Sequence, residues 1–443
     1  MEECTFPPAQ ISRPGTPLSA IPGEAHRRGA VSAVSFPARY SFALFASLAG
    51  IYLLLAAVQF TLHPAGNEGG FHFILLANGW FHGHLYVEGT PPALGDFTEY
   101  KGHWYVAFPP LPAILLLPLV AIFHLSHQAL ISLCFAVAAG ILNIWLWIQV
   151  LTRFVRNYLI GGTFSTVSWL AALFALGSEV LYATMQGSVW FVAHVVATTF
   201  LLLYIDEVLG KGRSWLAAFF LGLAALSRST TLFTFPFFLI WICVVERKQP
   251  LVIVKKWAVF GVVLAAFVAG MLLYNYARFG SLFDFGYSTM NINRLVSRGL
   301  HTYGQFSSHF LSINLHYMLV QPPILLRMFP YVTFNPFGTG LFWTMPALLF
   351  MLLAFRRRRQ FWLATALFAA CVVPIIWVLM YFNTGWYQFG YRFVLDFLPF
   401  LFLLALLGMS STPTWREKVL ITLCVLINVW GYIVFAYFPP RTF

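Results

Sequence analysis

The chain has 443 residues, of which 60% are hydrophobic and only 9% charged, with a mean hydropathy of +0.78. A soluble domain is about half apolar and about a quarter charged, so this chain cannot cover its own surface with charge, and a soluble globular protein is excluded. The formal net charge of +12 is scattered at the ends of apolar runs, not gathered on one face as nucleic-acid binding requires.

Residues 1–39 hold Pro7, Pro8, Pro14, Pro17, Pro22 and Pro37 among small and polar residues, with no apolar core of a signal peptide. They read as a disordered cytoplasmic tail. A spanning helix needs about 20 apolar residues. Residues 42–62 supply the first, an uncleaved anchor, followed by 129–150, 159–180, 189–205, 257–276, 361–382, 393–409 and 419–438, with a shorter one at 341–355. The run 215–245 is too long for one comfortable span and is interrupted by Ser227-Arg228-Ser229-Thr230. Basic residues flank it on both sides, which favours two short helices joined at the outer face over one long tilted helix.

Residues 108–123, FPPLPAILLLPLVAIF, resemble a span but are short and contain four prolines. If they cross, every later basic cluster inverts. If they lie in the outer interface, Arg13, Arg27, Arg28, Arg39, Arg153, Arg156, Lys211, Arg213, Arg247, Lys248, Lys255, Lys256, Arg356 to Arg359, Arg416 and Lys418 all face the cytoplasm. That is eighteen of the 26 basic residues, and the tendency of Lys and Arg to stay inside selects this topology. It predicts an all-α polytopic membrane protein of about eleven crossings, with a transmembrane domain at 40–438, external loops at 63–128, 278–340 and 383–392, and an external tail at 439–443. No internal repeat is visible, which counts against a transporter built from two related halves.

The polar residues that could do chemistry crowd the external loops. Glu68 follows the first span, at a depth where ionisable groups are costly and usually functional. It is a candidate base for an acceptor hydroxyl or an ordinary acid capping the next helix. Asp96 and Glu99, beside Lys101, read as a solvated turn. Arg228, between two apolar legs, either grips a carboxylate or phosphate with paired hydrogen bonds or snorkels to the interface. Arg392 and Asp396 are four apart at a helix start and are placed to pair with each other. The functional alternative sets Arg392 against an anionic lipid head group, positioned by Asp396. The five cysteines show no paired spacing, no HExxH or DxD occurs, and His82-x-His84 alone is weak. No metal and no cofactor is expected.

The order of several stretches resembles the GT-C superfamily, membrane glycosyltransferases that take sugars from polyprenyl-phosphate donors, and within it the bacterial proteins similar to protein O-mannosyltransferases and aminoarabinose transferases. These stretches are Asn67-Glu68, Gly83-His84-Leu85-Tyr86, Tyr100-x-Gly102-x-Trp104-Tyr105, Phe108-Pro109-Pro110, Leu226-Ser227-Arg228, Tyr274-Asn275-x-x-x-Phe279-Gly280-Ser281 and Phe389-Gly390-Tyr391-Arg392. The resemblance covers most of residues 40–438. It departs in two places. Asn67 stands where the family has an aspartate, leaving Glu68, or secondarily Asp96, as base. The loop after the third span has Gln186, Trp190 and His194 but no carboxylate, with Glu179 just before it.

The resemblance implies an inverting glycosyltransferase at the outer face of a bacterial inner membrane, using a polyprenyl-phosphate sugar and a glycan, lipid or protein acceptor. Its donor phosphate would meet Arg228, Arg392 or Lys101, with Asp396 and His194 in positioning roles. A lipid flippase or transporter, and a non-catalytic scaffold of the same architecture, are the rival classes.

Overall fold

The computed structural model describes residues 37–62, 70–159 and 161–438. The tail 1–36, the segment 63–69, which includes Glu68, and the end 439–443 lie outside the described residues. The fold is that of an all-α polytopic membrane protein. Among the described residues, six helical segments are long and apolar enough to cross a bilayer: α1 (Ala38–Leu62), α4 (Gln128–Tyr158), α7 (Val189–Leu209), α10 (Pro250–Phe279), the Arg358–Met380 segment containing α14 (Phe361–Met380), and α16 (Trp415–Tyr437). Shorter apolar helices fill the spaces between them: α3 (Leu111–Phe123), α5 (Phe164–Leu176), α8 (Ser214–Ala225), the Ser229–Val245 segment ending in α9 (Pro236–Val245), a 3-10 helix (Pro346–Arg356) and α15 (Leu398–Gly408). The short helices α2 (His72–Phe81), α6 (Val180–Met185), α11 (Arg294–Tyr303), α12 (Leu311–Leu315) and α13 (Leu341–Thr344) complete the set used here.

Burial separates centre from rim. In α7, 78% of the best apolar window is buried, against 17% in α1 and 6% in α10. Leu251, Val254, Val262 and Leu273 of α10 face outward, the surface expected against acyl chains. Helices associate in lipid through close packing and interhelical polar contacts. Both occur: Asn143 Nδ2 donates to Val195 O at 2.8 Å, Tyr52 OH to Ala175 O at 2.6 Å and Trp147 Nε1 to Leu170 O at 3.1 Å. A methyl group at Gly222 would fall 2.3 Å from the Phe267 ring, so α8 and α10 meet at a glycine.

The 215–245 run doubles back. Ser227 Oγ donates to Ala193 O at 2.8 Å, near the start of α7. Trp241 lies 5.5 Å from the Tyr158 ring, whose hydroxyl reaches Leu209 O at the far end of α7. Two antiparallel legs therefore meet at Arg228. The 159–180 run differs from expectation, because α5 stops at Leu176 and chain direction changes through Gly177 and Ser178 before α6. Ser178 Oγ turns back onto Phe174 O at 2.6 Å, a local bond that competes with continued helix. The 341–355 run is α13 followed by the 3-10 helix from Pro346, whose missing N–H suits a helix start.

The 108–123 segment becomes α3, 13 residues long. At 1.5 Å per residue it spans only about 20 Å. It packs along α2, and its Leu111 N–H donates to Leu226 O at 2.9 Å, at the Arg228 end of the bundle. Between α2 and α3 runs an antiparallel hairpin, β1 (Phe97–Tyr100) with β2 (His103–Val106). A second, β3 (Ile324–Leu325) with β4 (Val332–Thr333), stands beside α16.

Candidate active site

Four pieces of chain converge at the Arg228 end. The first turns of α7 bring Trp190, Phe191 and His194. The reversal between α8 and α9 brings Arg228 and Thr230. A 3-10 helix (Arg392–Asp396) brings Arg392, Phe393 and Asp396, and the turn entering β1 brings Asp96.

Asp396 is fully buried and organises one half of the site. It accepts from His194 Nδ1 at 2.8 Å, from Arg228 Nε at 3.3 Å and from Arg228 NH2 at 3.2 Å, and from the Thr230 hydroxyl. The carboxylate partner fixes the His194 proton on Nδ1. Burying a charge requires pairing and hydrogen bonding, and here the Arg228 charge is matched.

The pairing of Arg392 with Asp396 that their spacing suggests does not form. The five residues are a 3-10 helix, with three residues per turn, so positions four apart fall on different faces. Asp396 turns to Arg228 instead, and Arg392 is left without an ion-paired acid among the described residues. Arg392 is buried, and its guanidinium lies 5.3 Å from the Phe191 ring and 5.5 Å from the Phe393 ring. Its side chain makes no hydrogen bond or ion pair among the described residues, and Nε has no partner. Burial pulls this guanidinium down to about 10; the Tyr182 hydroxyl and Asp96 oppose that shift, and the neighbouring Arg228 charge adds to it.

The Arg392 backbone, by contrast, is held from two sides. Gln388 Oε1 accepts its N–H at 2.9 Å, and Glu179 Oε1 accepts the Tyr391 N–H at 2.7 Å. Glu179 is fully buried and sits so close that a methyl at Gly390 would fall 2.3 Å from Oε1. Gly390 also has φ +68, a conformation few other residues adopt.

Asp96 is not a solvated turn residue. Its Oδ2 accepts from Trp190 Nε1 at 2.5 Å, and its N–H donates to Asn291 O at 2.7 Å. Burial raises its carboxyl above the ordinary range, against the Trp190 hydrogen bond and the Arg392 charge. His72 supports the turn from behind: Nε2 meets Gly95 O at 2.9 Å and the ring stacks on Phe97 at 3.9 Å. Burial lowers His72 to about 4, so it is neutral at pH 7 and can donate to that carbonyl. Tyr287 and Tyr381 stand within electrostatic reach of both Arg228 and Asp96.

The structure thus brings together Asp96, Arg228, Arg392, His194 and Asp396. Lys101 is exposed at the tip of the β1–β2 hairpin, its ammonium 5.2 Å from the Tyr100 ring. Glu68 lies outside the described residues; the chain resumes at Gly70, whose carbonyl accepts from Val189 N–H at 2.7 Å, one residue before Trp190. Sequence reasoning missed Thr230, Gln388 and the role of Glu179. For Glu179 a signal existed, since an acid amid an apolar run is costly unless it has work. Among the described residues no cluster of three or more His, Cys, Asp or Glu could hold a metal. His84 and His103 stack on Tyr86, at 4.6 and 4.0 Å respectively.

No family model matches this chain, and no curated protein matches it. A solved structure of the Archaeoglobus fulgidus oligosaccharyltransferase in the apo form aligns with 88% of this chain and 55% of its own, at 15% identity and a TM-score of 0.42. The chain spans about half the length of that protein, and a likeness at this level does not establish a shared fold.

Proposed function

We propose that this protein is a glycosyltransferase of the GT-C kind, moving a sugar from a polyprenyl-phosphate donor to an acceptor hydroxyl. The single observation that carries the reading is Arg392: a buried guanidinium with no ion-paired acid among the described residues, within electrostatic reach of Arg228 and of the Asp96 carboxyl. Such a group is poorly accommodated unless an anion completes it. A phosphate suits its planar fork.

In this reading the donor phosphate sits on Arg392, with Arg228 adding positive field from behind. A carboxylate, Glu68 or Asp96, takes the proton of the acceptor hydroxyl as its oxygen bonds to the anomeric carbon. The bond from that carbon to the phosphate oxygen breaks, and polyprenyl phosphate leaves with the electron pair, so configuration inverts. Charge grows on the leaving phosphate, where preorganised positive groups act most strongly. Asp396 and His194 touch no substrate and keep Arg228 in place. Lys101 receives no role. In the same reading the site faces the non-cytoplasmic side of a bacterial inner membrane, with the amino terminus cytoplasmic and the carboxyl terminus external, and the basic clusters at the other end support that orientation.

The test uses purified protein in vesicles with labelled polyprenyl-phosphate sugars. Wild type is expected to transfer label and Arg392→Gln to lose both transfer and retention of polyprenyl phosphate. Retention of that lipid by Arg392→Gln at the wild-type level removes the phosphate assignment. Separately, Glu68→Gln and Asp96→Asn identify which acid is the base.

A further inference from the structure

The β3–β4 hairpin carries at its tip Leu325, Leu326, Met328, Phe329 and Tyr331, all exposed, around a single cation, Arg327. Leu325 is 77% and Met328 78% exposed, extreme values for such side chains. Part of its backbone is tied up internally. Leu326 N–H donates to Tyr331 O at 2.7 Å, Tyr331 N–H to Met328 O at 2.9 Å and Val332 N–H to Pro330 O at 2.7 Å. The N–H groups of residues 327–329 at the tip make no backbone hydrogen bond, an arrangement the hydrated interface accommodates and the hydrocarbon core does not.

The position of the hairpin says what covers it. On α16, Trp415, Val419, Leu423 and Leu426 form an exposed apolar stripe on one helix face. The next position on that face is Trp430. Its Nε1 donates to Val332 O at 3.2 Å, and its ring lies 6.0 Å from Phe329, which also meets Phe438 at 4.8 Å. Trp430 is about 22 Å along the helix from Trp415 at 1.5 Å per residue, short of the roughly 30 Å hydrocarbon thickness. Phe438, which the tip also meets, is about 34 Å along, so the hairpin lies against the outer end of this spanning helix, at the edge of the hydrocarbon.

We propose that residues 324–333 are anchored in the outer bilayer interface, with Leu325, Leu326, Met328 and Phe329 dipping toward the acyl chains and Arg327 reaching lipid phosphates. The chain running on from this hairpin holds the Arg392 turn, since Gln388 Nε2 donates to Phe337 O at 2.9 Å and Thr339 N–H to Gly390 O at 2.9 Å. The anchor thereby ties that turn to a fixed depth. This inference stands on the membrane fold alone and is independent of the catalytic reading.

Single cysteines at Met328, Leu325, Leu423 and Lys101, in protein with Cys4, Cys134 and Cys243 replaced by serine, are spin-labelled in phosphatidylcholine–phosphatidylglycerol vesicles. Collisions with dioxygen, which concentrates in lipid, are compared with collisions with a water-soluble nickel chelate. The oxygen-to-nickel ratio at 328 and 325 is expected to exceed that at 101 several-fold without exceeding that at 423. Labels at 328 and 325 that read like 101, or that are closed to both reagents because protein covers them, overturn the proposal. Agreement between the two tip positions guards against a local disturbance at either.

Discussion

The two ends of the helical bundle handle charge in opposite ways. At one end, Arg153 pairs with Asp206 at 2.7 Å, Arg213 with Glu207 at 2.7 Å and Lys256 with Glu246 at 2.9 Å, all with at least one partner partly open to solvent. Arg357 NH2 caps Met409 O at 2.7 Å nearby. At the other end, Asp396, His194 and Arg392 are buried, and the partners of Asp396 come from segments 166 to 202 residues away in sequence. Exposed pairs contribute little to stability; their excess of positive charge orients a chain in a bilayer. Buried charges are costly to leave incomplete, and Arg392 has no ion pair among the described residues.

That contrast can be broken most directly at Asp396. Asp396→Ala leaves the partly buried Arg228 without its acid, and a loss of about 3–5 kcal/mol is expected, read as a large fall in the detergent unfolding midpoint. Arg392→Gln probes the opposite case. It removes an unpaired charge, so the midpoint should hold or rise, while transfer falls by about 10²–10³-fold if the guanidinium stabilises the leaving phosphate. A parallel loss of stability would instead make Arg392 a structural residue.

Asp96 sharpens the comparison through pH. Its folded carboxyl titrates above the unfolded value, so it favours the folded state below the unfolded value, and that favour is lost as pH rises through the folded one. If Asp96 is the base, activity rises over that same higher window. Trp190→Phe removes the hydrogen bond that favours the ionised form, and the acidic limb should move further up. A limb that stays put assigns the proton to another acid. At the opposite end, Arg153→Ala should cost no more than about 1 kcal/mol and leave transfer unchanged. A larger effect would mean that the exposed pairs do more than orient.

Much of this was legible in the residues. Hydropathy marked the long helices, and the Ser227-Arg228-Ser229-Thr230 interruption marked the reversal, because a polar break flanked by basic ends admits few other topologies. The break after Leu176 was not legible, since Gly177 and Ser178 are tolerated inside membrane helices and only packing decides whether the chain turns there. The placement of Asp96 was misread for a related reason. A carboxylate in a polar turn looks solvated until Trp190, far along the chain, is brought onto it.

By itself, then, the sequence determined the solvent of this protein and the density and spacing of its helices, which are one-dimensional properties of hydrophobic length and end charge. Which acid neutralises which arginine was decided only by tertiary structure. Hydrogen bonds of about 3 Å depend on backbone turns, here a 3-10 helix in place of an α-helix, that local propensity does not distinguish. A change of that size moved Asp396 from Arg392 to Arg228 and left the first of these arginines open.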